Sequence, residues 1–130
     1  MAIKYQQGDV LLVKVDESER SYLESNCKIE TGGDKKGKVI LAFGEATGHH
    51  HRFELNEIGS GVTISTVYDK IGRYGRWTYR NEPTYYILDG GEATLYHEEH
   101  KPLTLPPGIY RRSIVREFDH IGNSTRAVVD

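Results

Sequence analysis

The segment TYYILDGGEATLYHE, residues 84–98, decides the reading of the fold. Two apolar arms flank Asp89-Gly90-Gly91, and a short glycine turn between alternating apolar runs predicts a β-hairpin. The neighbouring segments read the same way. GDVLLVKVDE (8–17) is β-branched, with Val10, Leu12 and Lys14 on one face and Leu11, Val13 and Val15 on the other. That pattern predicts a strand that is mostly buried. KVILAFGEA (38–46) and HHHRFEL (49–55) predict two more strands. VTISTVYDK (62–70) alternates Val62, Ile64, Thr66 and Tyr68 with Thr63, Ser65 and Val67. IGRYGRWTYR (71–80) begins as a turn and becomes a strand. KPLTLPPGIYRRSIVREF (101–118) holds a short strand, a Pro106-Pro107-Gly108 turn and a last strand.

Two stretches differ. DESERSYLESN (16–26) predicts a short helix, with Asp16 or Ser18 near its cap and Leu23 inward. TGGDKKGK (31–38) is a glycine-rich charged loop. About eight short strands at regular spacing with one helix predict an all-β fold, a small single-domain barrel or sandwich over residues 1–130.

Composition narrows the class. At 130 residues the chain is long enough to bury a core without a staple. Hydrophobic residues make up 37% and charged residues 28%, neither disordered nor membrane-like. The net charge of −2 argues against polyanion binding by bulk charge, while leaving room for a local basic patch. One cysteine, Cys27, excludes an internal disulfide. MAIKYQQGDV carries no apolar signal region, and no apolar run is long enough to cross a bilayer. The expectation is a cytoplasmic protein without a membrane partner. No G-x-x-x-x-G-K-[ST] and no G-x-S-x-G occurs, so neither a P-loop nor a serine-hydrolase elbow is supported.

Five of the six histidines fall in two clusters, GHHHRF (48–53) and LYHEEHKPL (95–103). On a strand, His49 and His51 share one face and His50 points the other way. His97 and His100 converge if the chain leaves strand geometry after Tyr96. Imidazole nitrogens bind zinc at about 2.0–2.1 Å, and three or four suffice. The pattern predicts a divalent metal, zinc first, on His49, His51, His97 and His100. Nickel, iron and manganese also suit such ligands. Glu98 or Glu45 would orient a ligand or act as general base to a metal-bound water. A metal-dependent hydrolase on a small or phosphorylated substrate would use such a site. Exposed rim histidines, or metal-free acid/base or phosphate-binding histidines, are the competing readings.

GRYGRWTYR (72–80) interleaves Arg73, Arg76 and Arg80 with Tyr74, Trp77 and Tyr79. That composition suits base stacking and phosphate contact. The plainer reading puts Trp77 and Tyr79 in the core and the arginines in water. An accessory module binding nucleic acid through Arg73, Arg76, Trp77, Tyr79 and Arg80, or binding a protein partner or a second copy of itself, is the alternative function. Tyr110, Arg111, Arg112 and Arg116 form a second basic stretch on the last strand.

QQGDVLLVKV, VILAFGEATGHHHRF and LYHEEHKPLTLPPGIYRR, with REF and a closing VVD, together resemble a group of short bacterial and phage proteins. That group carries Q-G-D, G-E-x-T-G-H-x-H and H-E-E-H-x-P-x-x-L-P-x-G-x-Y. The matching positions are Gly8, Asp9, Gly44, Glu45, Gly48, His49, His51, His97, Glu98, Glu99, His100, Pro107, Gly108 and Tyr110. The resemblance implies a motif pattern and no settled activity; residues 56–84 lie outside it. YYILDGGEATL with LTLPPGIY is similar, more loosely, to the second half of a cupin barrel. A cupin-like double-stranded β-helix is therefore the alternative fold.

Overall fold

The structure, a computed structural model, describes residues 3–35, 37–41, 50–73, 75–80 and 82–114. In chain order the strands are β1 (Lys4–Gln7), β2 (Val10–Val15), β3 (Lys28–Thr31), β4 (Lys38–Ile40), β5 (Arg52–Glu54), β6 (Thr63–Tyr68), β7 (Lys70–Arg73), β8 (Arg76–Tyr79), β9 (Tyr85–Asp89), β10 (Ala93–His97), β11 (His100–Leu105) and β12 (Gly108–Ile114). One helix, α1 (Glu19–Asn26), follows β2. The fold is all-β, as the patterning predicts. The strands are more numerous than expected, because β1 (KYQQ) and β3 (KIET) are too polar to stand out in the pattern and the 71–80 stretch holds a hairpin rather than one strand.

Six strands form one antiparallel sheet in the order β1-β2-β12-β9-β6-β3, and four form a second in the order β11-β10-β5-β4. A shared core joins them: Val10, Leu12, Ile64, Tyr86, Leu88 and Tyr110 from the larger sheet meet Val39, Phe53, Ala93, Leu95 and Leu105 from the smaller. The larger sheet is apolar on both faces. Its outer face packs Val67, Ile87 and Ile109 against Leu23 of α1. This explains why β2 and β9 read as continuous apolar runs rather than clean alternations. α1 starts where the Asp16 carboxylate accepts the Ser18 N–H and ends where the Cys27 N–H reaches the Leu23 carbonyl. Leu23 is its one fully buried side chain.

The segment that opened the sequence reading behaves differently from the prediction. β9 and β10 are both strands, but they do not pair with each other. β9 pairs with β12 and β6, while β10 pairs with β11 and β5. Asp89-Gly90-Gly91 is thus a corner at which the chain leaves one sheet for the other. Gly90 has φ +87°, and a Cβ there would lie 2.1 Å from the Gly61 carbonyl oxygen. A two-residue type I′ turn needs positive φ at both central residues, and Gly91 is not in that conformation. The glycines serve close backbone approach, not hairpin closure. Arg20 of α1 grips the corner with a two-pronged contact to Asp89, at 2.8 and 3.0 Å.

The stretch 71–80 also differs. β7 and β8 form a hairpin of their own, joined by ladder bonds to neither main sheet. Trp77, expected in the core, is 57% exposed.

Candidate functional site: a histidine cluster against the Gln7–Asp9 turn

The two histidine clusters meet. His51 sits immediately before β5 and is 1% exposed. His97 and His100 end β10 and begin β11, and face one another as a register pair across the Glu98–Glu99 turn, after a bulge at Leu95–His97. The bulge turns two residues that sit three apart toward the same side. The ring centres lie 4.3 Å apart for His51–His97, 4.7 Å for His97–His100 and 5.8 Å for His51–His100. His50 faces away, into a cleft of about 550 Å³ with Lys35, Lys38, Arg52 and Glu98. His50 and His51 both precede β5, so the strand expected from His49 begins only at Arg52. His49 and Glu45 lie outside the described residues.

The β1–β2 turn closes over the cluster. Gln7 and Val10 are register partners, leaving Gly8-Asp9 as the connection. Gln7 is buried, and its Nε2 donates to the carbonyls of Leu95 and Lys101, each at 2.9 Å. Both amide hydrogens are therefore used. Its Oε1 faces His51 Nδ1 at 2.9 Å and must accept, so the His51 proton sits on Nδ1. The neutral ring then carries its lone pair on Nε2. That atom lies 3.0 Å from Asp9 Oδ1. Gly8 makes room for the third ring: at φ +58°, a Cβ on it would lie 2.5 Å from His100 Nε2.

Burial, and then the neighbouring His97, push the His51 imidazole down to about 4, against the opposing pull of Asp9. Near neutral pH the ring is neutral. His97 Nδ1 accepts the Glu99 backbone N–H at 3.1 Å, so that nitrogen carries no proton. The His51 and His100 rings are nearly parallel, at 12°. His97 is tilted against them, at 36° to His51 and 47° to His100. Among the described residues no group of three or more His, Cys, Asp or Glu is arranged to hold a metal ion. Of the sequence-predicted ligands, His51, His97 and His100 come together as rings without presenting a ligand sphere.

Glu98 does not sit as a bare base beside the rings. Its carboxylate accepts from Arg52 Nη1 at 2.7 Å and from the His50 N–H at 3.3 Å. Arg52 also binds Glu54 at 2.6 Å, with Lys38 on the same carboxylate at 3.0 Å, and these cations hold Glu54 below the usual carboxylate range.

Gln7 and Asp9 are the site residues that the histidine pattern alone misses. A signal existed. Gln7 follows Tyr5 on one face of β1, so a polar residue stands at an inward position beside a turn. Buried polar side chains have partners, and here the partner is a histidine 44 positions away.

The second candidate set lies elsewhere. Arg76, Trp77 and Tyr79 stand on β8, Arg73 pairs with Arg76 in register, and Arg80 follows. This hairpin and α1 line a separate cleft, which shares no residue with the histidine cluster.

The family described as Domain of unknown function (DUF8820) matches residues 6–115, so the chain belongs to that family. The match spans the Gln7–Asp9 turn and all three converging histidines. No curated protein and no solved structure matches the chain. Among the described residues, no helix is long and apolar enough to cross a membrane.

Proposed function

We propose that His51, Asp9, His97 and His100 form a divalent-metal pocket, with zinc first among the candidates. One observation carries the proposal. The His51 Nε2 lone pair and the Asp9 carboxylate oxygen, both electron-pair donors, face each other at 3.0 Å. Two such atoms repel unless a cation lies between them. A proton would serve, but burial disfavours it on His51 near neutrality. An ion about 2.1 Å from each atom would see them at roughly a right angle. Imidazoles around one tetrahedral ion have ring centres about 5 Å apart, and the three measured separations of 4.3, 4.7 and 5.8 Å bracket that value. Rotation of His100, and of His97 with release of its Nδ1 from the Glu99 N–H, would complete the set. Gln7 would act as the outer partner that holds the proton on Nδ1 and leaves Nε2 to the metal.

These four ligands close a tetrahedral set, so an activated water at neutral pH would need the ion to take a fifth position. The activity that follows is hydrolysis of a small or phosphorylated substrate. Glu98 is committed to Arg52, so in this reading it braces the Glu98–Glu99 turn rather than taking a proton.

The test is the metal content of untagged protein, wild type against Asp9→Asn. Asparagine can donate to the Nε2 lone pair, so this variant should fold as well as the wild type without metal. Expected are about one equivalent of metal in the wild type and none in the folded variant. A metal-free wild type that also takes up neither zinc nor cobalt at micromolar concentration refutes the reading.

A further inference from the structure

We infer that the β7–β8 hairpin and α1 form a binding cleft for single-stranded nucleic acid, separate from the histidine cluster and independent of its metal. Residues 70–80, KIGRYGRWTYR, contain four basic residues and no acidic one, in a chain whose net charge is −2. The hairpin stands apart from both sheets, and its tryptophan remains 57% exposed. An isolated two-stranded hairpin is marginal in water, and an aromatic of this size gains more than any other residue from burial. An apolar ring left open on a basic, free-standing hairpin fits a platform for a ligand better than a structural prop.

The geometry suits a nucleobase. Lys70 and Tyr79 are register partners beside the Gly72–Trp77 pair, so Lys70, Tyr79 and Trp77 share a face. Lys70 Nζ lies 3.9 Å over the Trp77 ring, and Tyr79 meets it edge-on at 5.5 Å. Across the cleft stand Tyr22, which is 64% exposed, and Asn26 of α1. The cleft holds about 550 Å³, inside the roughly 300–1,000 Å³ typical of small-ligand sites. Lys70 and Arg80 line it and suit phosphates. Asp69 and Asn26 also line it, and suit the amino edge of a base rather than a phosphate. The arrangement reads as one base stacked on Trp77 after Lys70 swings from the ring face to a flanking phosphate, with Arg80 on the other phosphate.

Trp77 is the sole tryptophan of the chain, so its emission reports the site directly. The experiment titrates the full chain with fluorescein-labelled 12-mers of oligo(U) and oligo(dT), following both anisotropy and tryptophan quenching. Expected is quenching by at least one of the two, with the pair distinguishing RNA from DNA. Two phosphate contacts predict a log–log salt slope of about −1.4. Trp77→Ala should weaken binding about tenfold or more. Lys70→Ala with Arg80→Ala should flatten the salt slope. Chelator treatment should leave oligonucleotide binding as it is in untreated protein. Absence of quenching and anisotropy change for both oligonucleotides at micromolar protein overturns the inference, as does equal binding by a folded Trp77→Ala variant. A wild-type dimer that Trp77→Ala dissociates, without oligonucleotide binding, would instead assign the surface to self-association and also overturn it.

Discussion

Gln7→Ala tests the core of the site argument. The substitution removes an amide that makes three hydrogen bonds at 2.9 Å, two to the Leu95 and Lys101 carbonyls and one from His51 Nδ1. Gln7 is 4% exposed, so the groups left behind are largely shielded from water. Each stranded buried partner costs about 1–3 kcal/mol. Three of them give a loss of about 3–6 kcal/mol, allowing for partial rescue by water. Against a total of about 5–15 kcal/mol for a domain this is a large share. Urea unfolding with an unchanged m-value would measure it. Hydrogen exchange should localise the weakening to β1, β10 and β11. Gln7→Glu sharpens the test. It keeps an acceptor toward His51 but sets an acceptor against two carbonyls, and should cost about 2 kcal/mol or more. A loss below about 1 kcal/mol for both variants would refute the assigned hydrogen-bond network, and with it the placement of the His51 lone pair.

Other outcomes follow from single contacts. In chelator-treated protein, the unfolded His51 takes a proton below its ordinary 6.5 while the folded one resists until about 4. Stability should therefore fall as pH drops through that window, by roughly 3 kcal/mol in all. A His51→Gln variant whose stability depends on pH as steeply as the wild type's would contradict this. Gly8→Ala should cost about 1–2 kcal/mol from its left-handed backbone and displace the His100 ring, lowering zinc uptake more than thermal stability. Gly90→Ala drives a methyl into the Gly61 carbonyl at 2.1 Å, and calorimetry should record a loss above about 2 kcal/mol.

Strand positions were readable because β-branched and aromatic runs announce themselves locally. Pairing was not. Tyr85–Asp89 and Ala93–His97 look like two arms of one hairpin, yet each is apolar enough to enter a different sheet, and only Gly61 crossing behind Gly90 reveals the corner. β3 escaped notice because KIET carries one apolar residue on an exposed edge. The split of His50 from His51 was expected from alternation, yet both precede β5. The contact of His51 with Gln7 and Asp9 was not legible, since it spans more than 40 positions. Trp77 misled for a plain reason: alternation assigns an aromatic to one face of a strand without saying whether anything covers that face.

The place of β12 in the larger sheet bears on how the protein is born. Gly108–Ile114 lies between β2 and β9, so during synthesis the β1–β2 hairpin waits for β12, about 100 residues later, before it joins the rest. Until then β2 offers apolar side chains on both faces to the cell, and Gln7 has no Lys101 to hold, 94 positions downstream. Such distant pairings are slow to form. Both the maturation of the histidine cluster and protection from aggregation are thus postponed until β11 and β12 have been made, and a product truncated before β12 should be handed to chaperones rather than fold around its β1–β2 strands.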